Sequence, residues 1–224
     1  MAGPIALSLL VGVCATVISL PFAVAAAWYI ERSRLPGRGA LQAAIMMPLV
    51  LPPVVVGYLL LMVFSPKGGI GRGLEWIGMP VAFHWLGAVV AAAVVGLPLF
   101  VMTVSLAMRS VDSRLEIASR LLGRTTWQTF WRVTLPLCWP GMLAGAVLAF
   151  ARGLGEFGAT IVVAGRIPGE TETIPLRIYA ELDAPGGEQR IVWLVAASIL
   201  ICACAVVAAR WLDIRNRKRL EIER

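Results

Sequence analysis

Two residues able to do chemistry stand where charge is costly. Arg152 and Glu156 lie inside an apolar run from Cys138 to Ala164. A charge at the centre of a bilayer costs about 2.5–3.5 kcal/mol on insertion scales. Their i, i+4 spacing puts both side chains on one helix face, where they can pair. Such a pair is a polar patch facing a bundle interior near a substrate route, or a self-neutralising clasp between helices. The residues alone leave both readings open.

Other chemistries are excluded by what the sequence does not assemble. Cys14, Cys138, Cys202 and Cys204 all sit in or beside apolar runs. Cys202 and Cys204 point to different faces of a helix, and neither has a neighbouring His or Asp to complete a metal site. They read as small apolar residues. The single His84 reads as interfacial. No Gly-x-x-x-x-Gly-Lys-Ser/Thr phosphate loop is present, so the chain is not expected to hydrolyse ATP itself. No catalytic residue, metal or cofactor is expected.

The elements that position Arg152 and Glu156 follow from composition. Of 224 residues, 59% are apolar and 15% charged, against about 25% charged in a soluble domain. A helix needs about 20 apolar residues to cross a bilayer. Five segments qualify, and they predict spans at 5–30, 40–64, 84–108, 138–164 and 190–210. Ala23-Val24-Ala25 resembles a cleavage site, but the preceding run is too long and lacks a basic start, so it reads as a retained span. Pro48, Pro52 and Pro53 interrupt the second span, Pro98 the third, and Gly153, Gly155 and Gly158 stud the fourth. Interrupted helices free backbone groups that a neighbour or a wet cavity must satisfy. That pattern fits a transporter or channel better than a tether.

Net charge is +7, which in a lipid-embedded chain points to loop topology rather than nucleic acid. Arg32, Arg34 and Arg38 follow the first span. Arg109, Arg114, Arg120, Arg124 and Arg132 follow the third, and Arg210, Arg215, Arg217, Lys218, Arg219 and Arg224 follow the fifth. The opposite side carries fewer cations, and its 165–190 loop adds Glu170, Glu172, Glu181, Asp183 and Glu188. The positive-inside rule then predicts an outward N-terminus and a cytoplasmic C-terminus.

The loop at 110–137 is the most informative stretch. Leu115, Ala118, Leu121 and Leu122 recur at helical spacing, and Gly123 suits a helix end that needs a left-handed residue. A short amphipathic helix of this kind serves a membrane surface or docks on a partner. From Glu116 to Gly123, and on through Val133-Thr134-Leu135-Pro136, the loop resembles the EAA loop of type I ABC-importer permeases. Gly123, Val133, Leu135 and Pro136 fall at the family spacing. The triplet departs: it reads Ile117-Ala118-Ser119, with the acid displaced to Glu116. Three further stretches resemble the molybdate branch of that family: Pro48 to Tyr58, Phe150 to Thr160, and Ile167 to Pro175. The last two are shared with sulfate and thiosulfate permeases.

The resemblance implies an all-α polytopic membrane protein of the type I ABC importer fold, with five transmembrane helices and a cytoplasmic coupling helix. Residues 1–224 would form one transmembrane domain, with a coupling loop at 110–137 and a basic cytoplasmic tail at 211–224. It implies ATPase-coupling roles for Glu116, Ala118, Ser119, Leu122, Gly123, Leu135 and Pro136. A translocation pathway is expected near Pro52, Pro53, Arg152 and Glu156. The implied assembly is a homodimer with two copies of a cytoplasmic ABC ATPase, in a cell inner membrane, fed by a periplasmic molybdate-binding protein. The implied cargo is molybdate or tungstate, with sulfate or thiosulfate as the alternative. A channel independent of ATP, or a membrane-embedded enzyme, is the reading from a different class.

Overall fold

The computed structural model describes the backbone of residues 2–33 and 36–222, and the side chains of 3–33 and 36–214. Arg34 and Arg224, counted above toward orientation, lie outside the described residues, as do the side chains of Arg215, Arg217, Lys218 and Arg219. Among the described residues there are helices and no strands.

Three uninterrupted helices are long and apolar enough to cross a membrane. These are α1 (Ala2–Arg32), α5 (Trp85–Ser110) and α12 (Gly187–Ile222). Between α1 and α5 lie α2 (Arg38–Val50), α3 (Pro53–Phe64) and α4 (Gly69–Trp76). Between α5 and α12 come α6 (Ser113–Leu121), α7 (Thr126–Thr129), a π-turn over Phe130–Thr134, α8 (Leu135–Leu137), α9 (Trp139–Leu154), α10 (Gly158–Val163) and α11 (Ile174–Glu181). The spans number five when each of two bent pairs counts as one: α2 with α3, at 115°, and Thr126–Leu137 with α9, at 68°.

Pro98, expected to interrupt the third span, sits inside α5 without ending it, but two of the expected spans are not continuous helices. The apolar 40–64 stretch breaks at Leu51 and Pro52, both extended, with ψ of 144° and 133°. Pro52 pushes Leu51 out of the helical region, and Pro53 does the same to Pro52. The 138–164 stretch also breaks. Its helix ends at Leu154, and α10 starts afresh at Gly158. Glu156 therefore lies past the end of α9.

The core is the α1–α5–α9 packing, centred on Phe100, Val104, Met108 and Ala27. The α5–α9 crossing is close because α9 presents Gly141, Gly145, Ala149 and Gly153 one turn apart. A Cβ on Gly145 would meet the Phe100 ring at 2.7 Å, and one on Gly153 would meet Ala92 at 3.2 Å. Small residues at this spacing let backbones approach. By contrast, α2 has no buried residue and only 6% of the apolar window of α12 is buried. Their apolar faces suit a lipid solvent or a second transmembrane subunit.

Candidate coupling and translocation sites

In the 110–137 loop, Asp112 caps α6 by accepting from the Arg114 N–H at 2.9 Å. Gly123 ends that helix with φ of +85°, a conformation that favours glycine. Thr125 and Gln128 then form a reciprocal capping box that starts α7.

Glu116 faces inward from α6. It takes the Arg32 Nε–H at 3.0 Å and the Thr134 hydroxyl at 2.8 Å on the same oxygen. Arg32 also donates to the carbonyl oxygens of Met108 and Val111, at 2.7 and 3.4 Å. One guanidinium thus joins the ends of α1 and α5 to α6. A second pair, Arg109 to Glu31 at 2.7 Å, repeats the α1–α5 link. Ser119 is buried too, sharing a 3.1 Å hydrogen bond with Thr129.

The expected coupling residues therefore divide. Glu116 and Ser119 hold the loop's shape, and Leu135 is half-buried. Ala118, Leu122, Gly123 and Pro136 form the exposed side. Leu121 joins them at 83% exposed, beside Leu122 at 81%. Its apolar spacing was visible in sequence, but its outward direction was not. Next along the chain, Trp127 stacks on Phe130, Trp131 meets both rings edge-on, and Trp28 packs edge-on against Phe130.

The second site gathers the two backbone breaks. A Cβ on Gly158 would lie 2.7 Å from the Pro53 Cβ, and one on Gly57 would lie 2.8 Å from Ala159 backbone. Hence α3 and α10 cross at glycine, and the Pro52-Pro53 bend meets the Gly155–Phe157 break. Arg152 Nη1 pairs with Glu156 Oε2 at 2.7 Å. The other Glu156 oxygen accepts the Ala159 N–H at 2.8 Å. So the i, i+4 pair forms, but as a clasp across the end of α9 rather than along an intact helix. Glu156 is buried, whereas the Arg152 side chain keeps 31% of its surface exposed. Pro52 and Pro53 are exposed alongside.

A third cluster was not assembled from the sequence. In the 165–190 segment, Glu172 pairs with Arg166 at 2.9 Å and Arg177 at 3.1 Å. Glu181 pairs with Arg177, and with Arg190 at 3.2 Å. Only the 177–181 pair follows from helix spacing. Burial pushes the Glu172 carboxyl up, but hydrogen bonds and charge from Arg166 and Arg177 outweigh it and hold the group below its ordinary value. Partnership with Glu172 raises the Arg177 guanidinium in turn. The Ser8 hydroxyl accepts the Ile174 N–H at 2.7 Å, tying α11 to α1.

Comparison with known proteins agrees with this architecture. Residues 19–218 match the family described as the binding-protein-dependent transport system inner membrane component. The chain is 47% identical to the molybdenum transport system permease protein ModB of Escherichia coli K12, over 95% of this chain and 93% of that protein. It is 44% identical to ModB of Haemophilus influenzae, covering 96% and 94%. The E. coli K12 sulfate transport system permease protein CysT is 37% identical, covering 87% of this chain and 71% of its own. Among solved structures, a bacterial ABC transporter importing the acidic polysaccharide alginate superposes with a TM-score of 0.69 at 22% identity, covering 97% and 79%. The inward-facing methionine transporter MetNI gives 0.68 at 18% identity, covering 96% and 93%. These likenesses show the fold to be that of ABC importer transmembrane subunits.

Proposed function

The chain belongs to the family of binding-protein-dependent transport system inner membrane components, and from that premise we propose that it is the membrane-spanning permease subunit of an ATP-driven molybdate importer. One observation carries the cargo: 47% identity to a molybdenum permease over nearly the full length of both chains. The sulfate permease is less similar and covers less of either chain.

The working unit is a homodimer with two cytoplasmic ATPase subunits and a periplasmic binding protein. What supports a dimer is the extent of apolar surface that α2, α3 and α12 leave uncovered. The N-terminus faces the periplasm and the C-terminus the cytoplasm, a reading supported by the distribution of basic residues. That orientation puts α6 with its exposed Leu121 and Leu122 on the ATPase side, and the Glu172 network on the side that meets the binding protein.

Transport then follows from connected rigid parts. Closure of the ATPase dimer moves α6. Through Arg32 that displacement reaches the ends of α1 and α5 together. Helices α5 and α9 share glycine-mediated contacts over several turns, so they shift as one body and carry the Arg152–Glu156 break with them. Packed interfaces of this kind switch between discrete arrangements rather than bending continuously.

The deciding experiment reconstitutes the permease with its ATPase and binding protein in proteoliposomes. Uptake of radiolabelled molybdate that requires hydrolysable ATP, and that excess sulfate does not suppress, is the expected result. ATP-driven sulfate uptake in place of molybdate would overturn the cargo. Molybdate flux without ATP would overturn the importer and favour a channel.

A further inference from the structure

We propose that Arg152 is a transient contact for the transported oxyanion, and that Glu156 is a resident carboxylate competing for the same guanidinium. This deepens the importer reading and rests on it. Three observations carry the inference.

First, Arg152 lies within an apolar segment and keeps about a third of its side chain exposed. Hydrocarbon is a costly solvent for a guanidinium, so the exposed part faces water or a polar wall. Second, Arg152 spends one terminal nitrogen on Glu156 at 2.7 Å. Among the described residues its remaining donors have no partner. A guanidinium carries five N–H groups in one plane and suits the paired oxygens of an oxyanion. Third, Glu156 is buried and anchored by the Ala159 N–H at 2.8 Å. It cannot swing away, so it recaptures Arg152 whenever the anion leaves.

The surroundings fit a passage. The pair sits at the Gly155–Phe157 break, which meets the Pro52-Pro53 bend across Gly158. An unpaired arginine at that point would hold a dianion tightly and stall transport. A fixed carboxylate in competition lowers the affinity and lets the anion move on. Glu156 thereby sets how briefly the cargo stays.

The test uses the complex of permease and ATPase. Molybdate binding is measured in detergent without the binding protein, and uptake is measured in proteoliposomes with it. Glu156→Gln retains an oxygen for the Ala159 N–H while removing the competing charge. It should bind molybdate about tenfold more tightly than wild type, as expected for a gained charge-assisted contact, and turn over more slowly. Arg152→Gln should lose both binding and uptake, and Arg152→Lys should restore part of the uptake. The neutral double variant Arg152→Gln/Glu156→Gln removes the charges together and should remain transport-dead while still co-purifying with the ATPase. Wild-type uptake by that double variant would overturn the proposal and leave a purely structural clasp. Unchanged molybdate binding by Glu156→Gln would overturn the competition. If the wild-type complex imports sulfate instead, the cargo reading fails. The same variant pattern measured with radiolabelled sulfate would still uphold the contact.

Discussion

Removing Glu116 should loosen α6 from the bundle without unfolding the bundle. In Glu116→Ala the Arg32 guanidinium keeps the carbonyls of Met108 and Val111, so no buried charge is orphaned. What disappears is the 3.0 Å ion pair and the 2.8 Å bond from Thr134. A hydrogen bond to a charged group contributes about 1.5–3 kcal/mol when well buried. Here the partners retain 22% and 12% of their side-chain exposure, and screening reduces the pair to about 1–2 kcal/mol. A double-mutant cycle on Arg32→Ala and Glu116→Ala, read by denaturant titration of the detergent-solubilised protein, should return a coupling energy of that size. In proteoliposomes Glu116→Ala should import less molybdate per ATP hydrolysed. Additivity within about 0.3–0.5 kcal/mol, together with an unchanged ratio of import to hydrolysis, would refute the idea that Arg32 and Glu116 transmit the stroke.

Leu121→Asp and Leu122→Asp should abolish co-purification with the ATPase while leaving thermal stability within about 0.5 kcal/mol of wild type, because both side chains are exposed. Gly123→Arg should also break docking, since a non-glycine residue at φ +85° costs about 1 kcal/mol or more and redirects the chain after α6; normal co-purification and uptake would remove Gly123 from the coupling surface. Gly158→Val should drive α3 from α10 through the Pro53 contact, costing about 1–3 kcal/mol by overpacking, visible as a lowered unfolding midpoint and reduced uptake. Glu172 has a folded-state carboxyl below its unfolded value. Its contribution is therefore present above the ordinary carboxylate range and lost as pH falls through the lowered value. Glu172→Gln should flatten that acid limb of the stability profile, and an unaltered limb would show that the network does not set it.

Much of this protein is written in local chemistry. The length of apolar runs selects lipid as solvent. The consecutive prolines at Pro52 and Pro53 forbid a straight second span, because each proline denies the residue before it the helical region. Gly123 marks the end of α6, since no other residue takes φ of +85° without strain. The i, i+4 spacing of Arg152 and Glu156 brings the two within reach of each other, although the pair closes across the end of α9. Each depends on neighbours within a turn or two of chain, the distance over which steric rules act.

What the tertiary structure decided is direction. Glu116 and Leu121 are close in sequence on one short helix, and only the arrival of Arg32 from α1 and Thr134 from the end of the π-turn turns the first inward and leaves the second exposed. In the 138–164 run Gly153, Gly155 and Gly158 marked a weak stretch without saying at which residue the helix would stop. That break is held by contacts from α3, whose Pro53 reaches Gly158 across about a hundred residues of chain. The ion-pair cluster of Glu172 and Glu181 likewise needs Arg190 brought back by α12. Charge partners distant in sequence are chosen by packing, because an ion pair is selected by distance and burial, and neither exists until the helices meet.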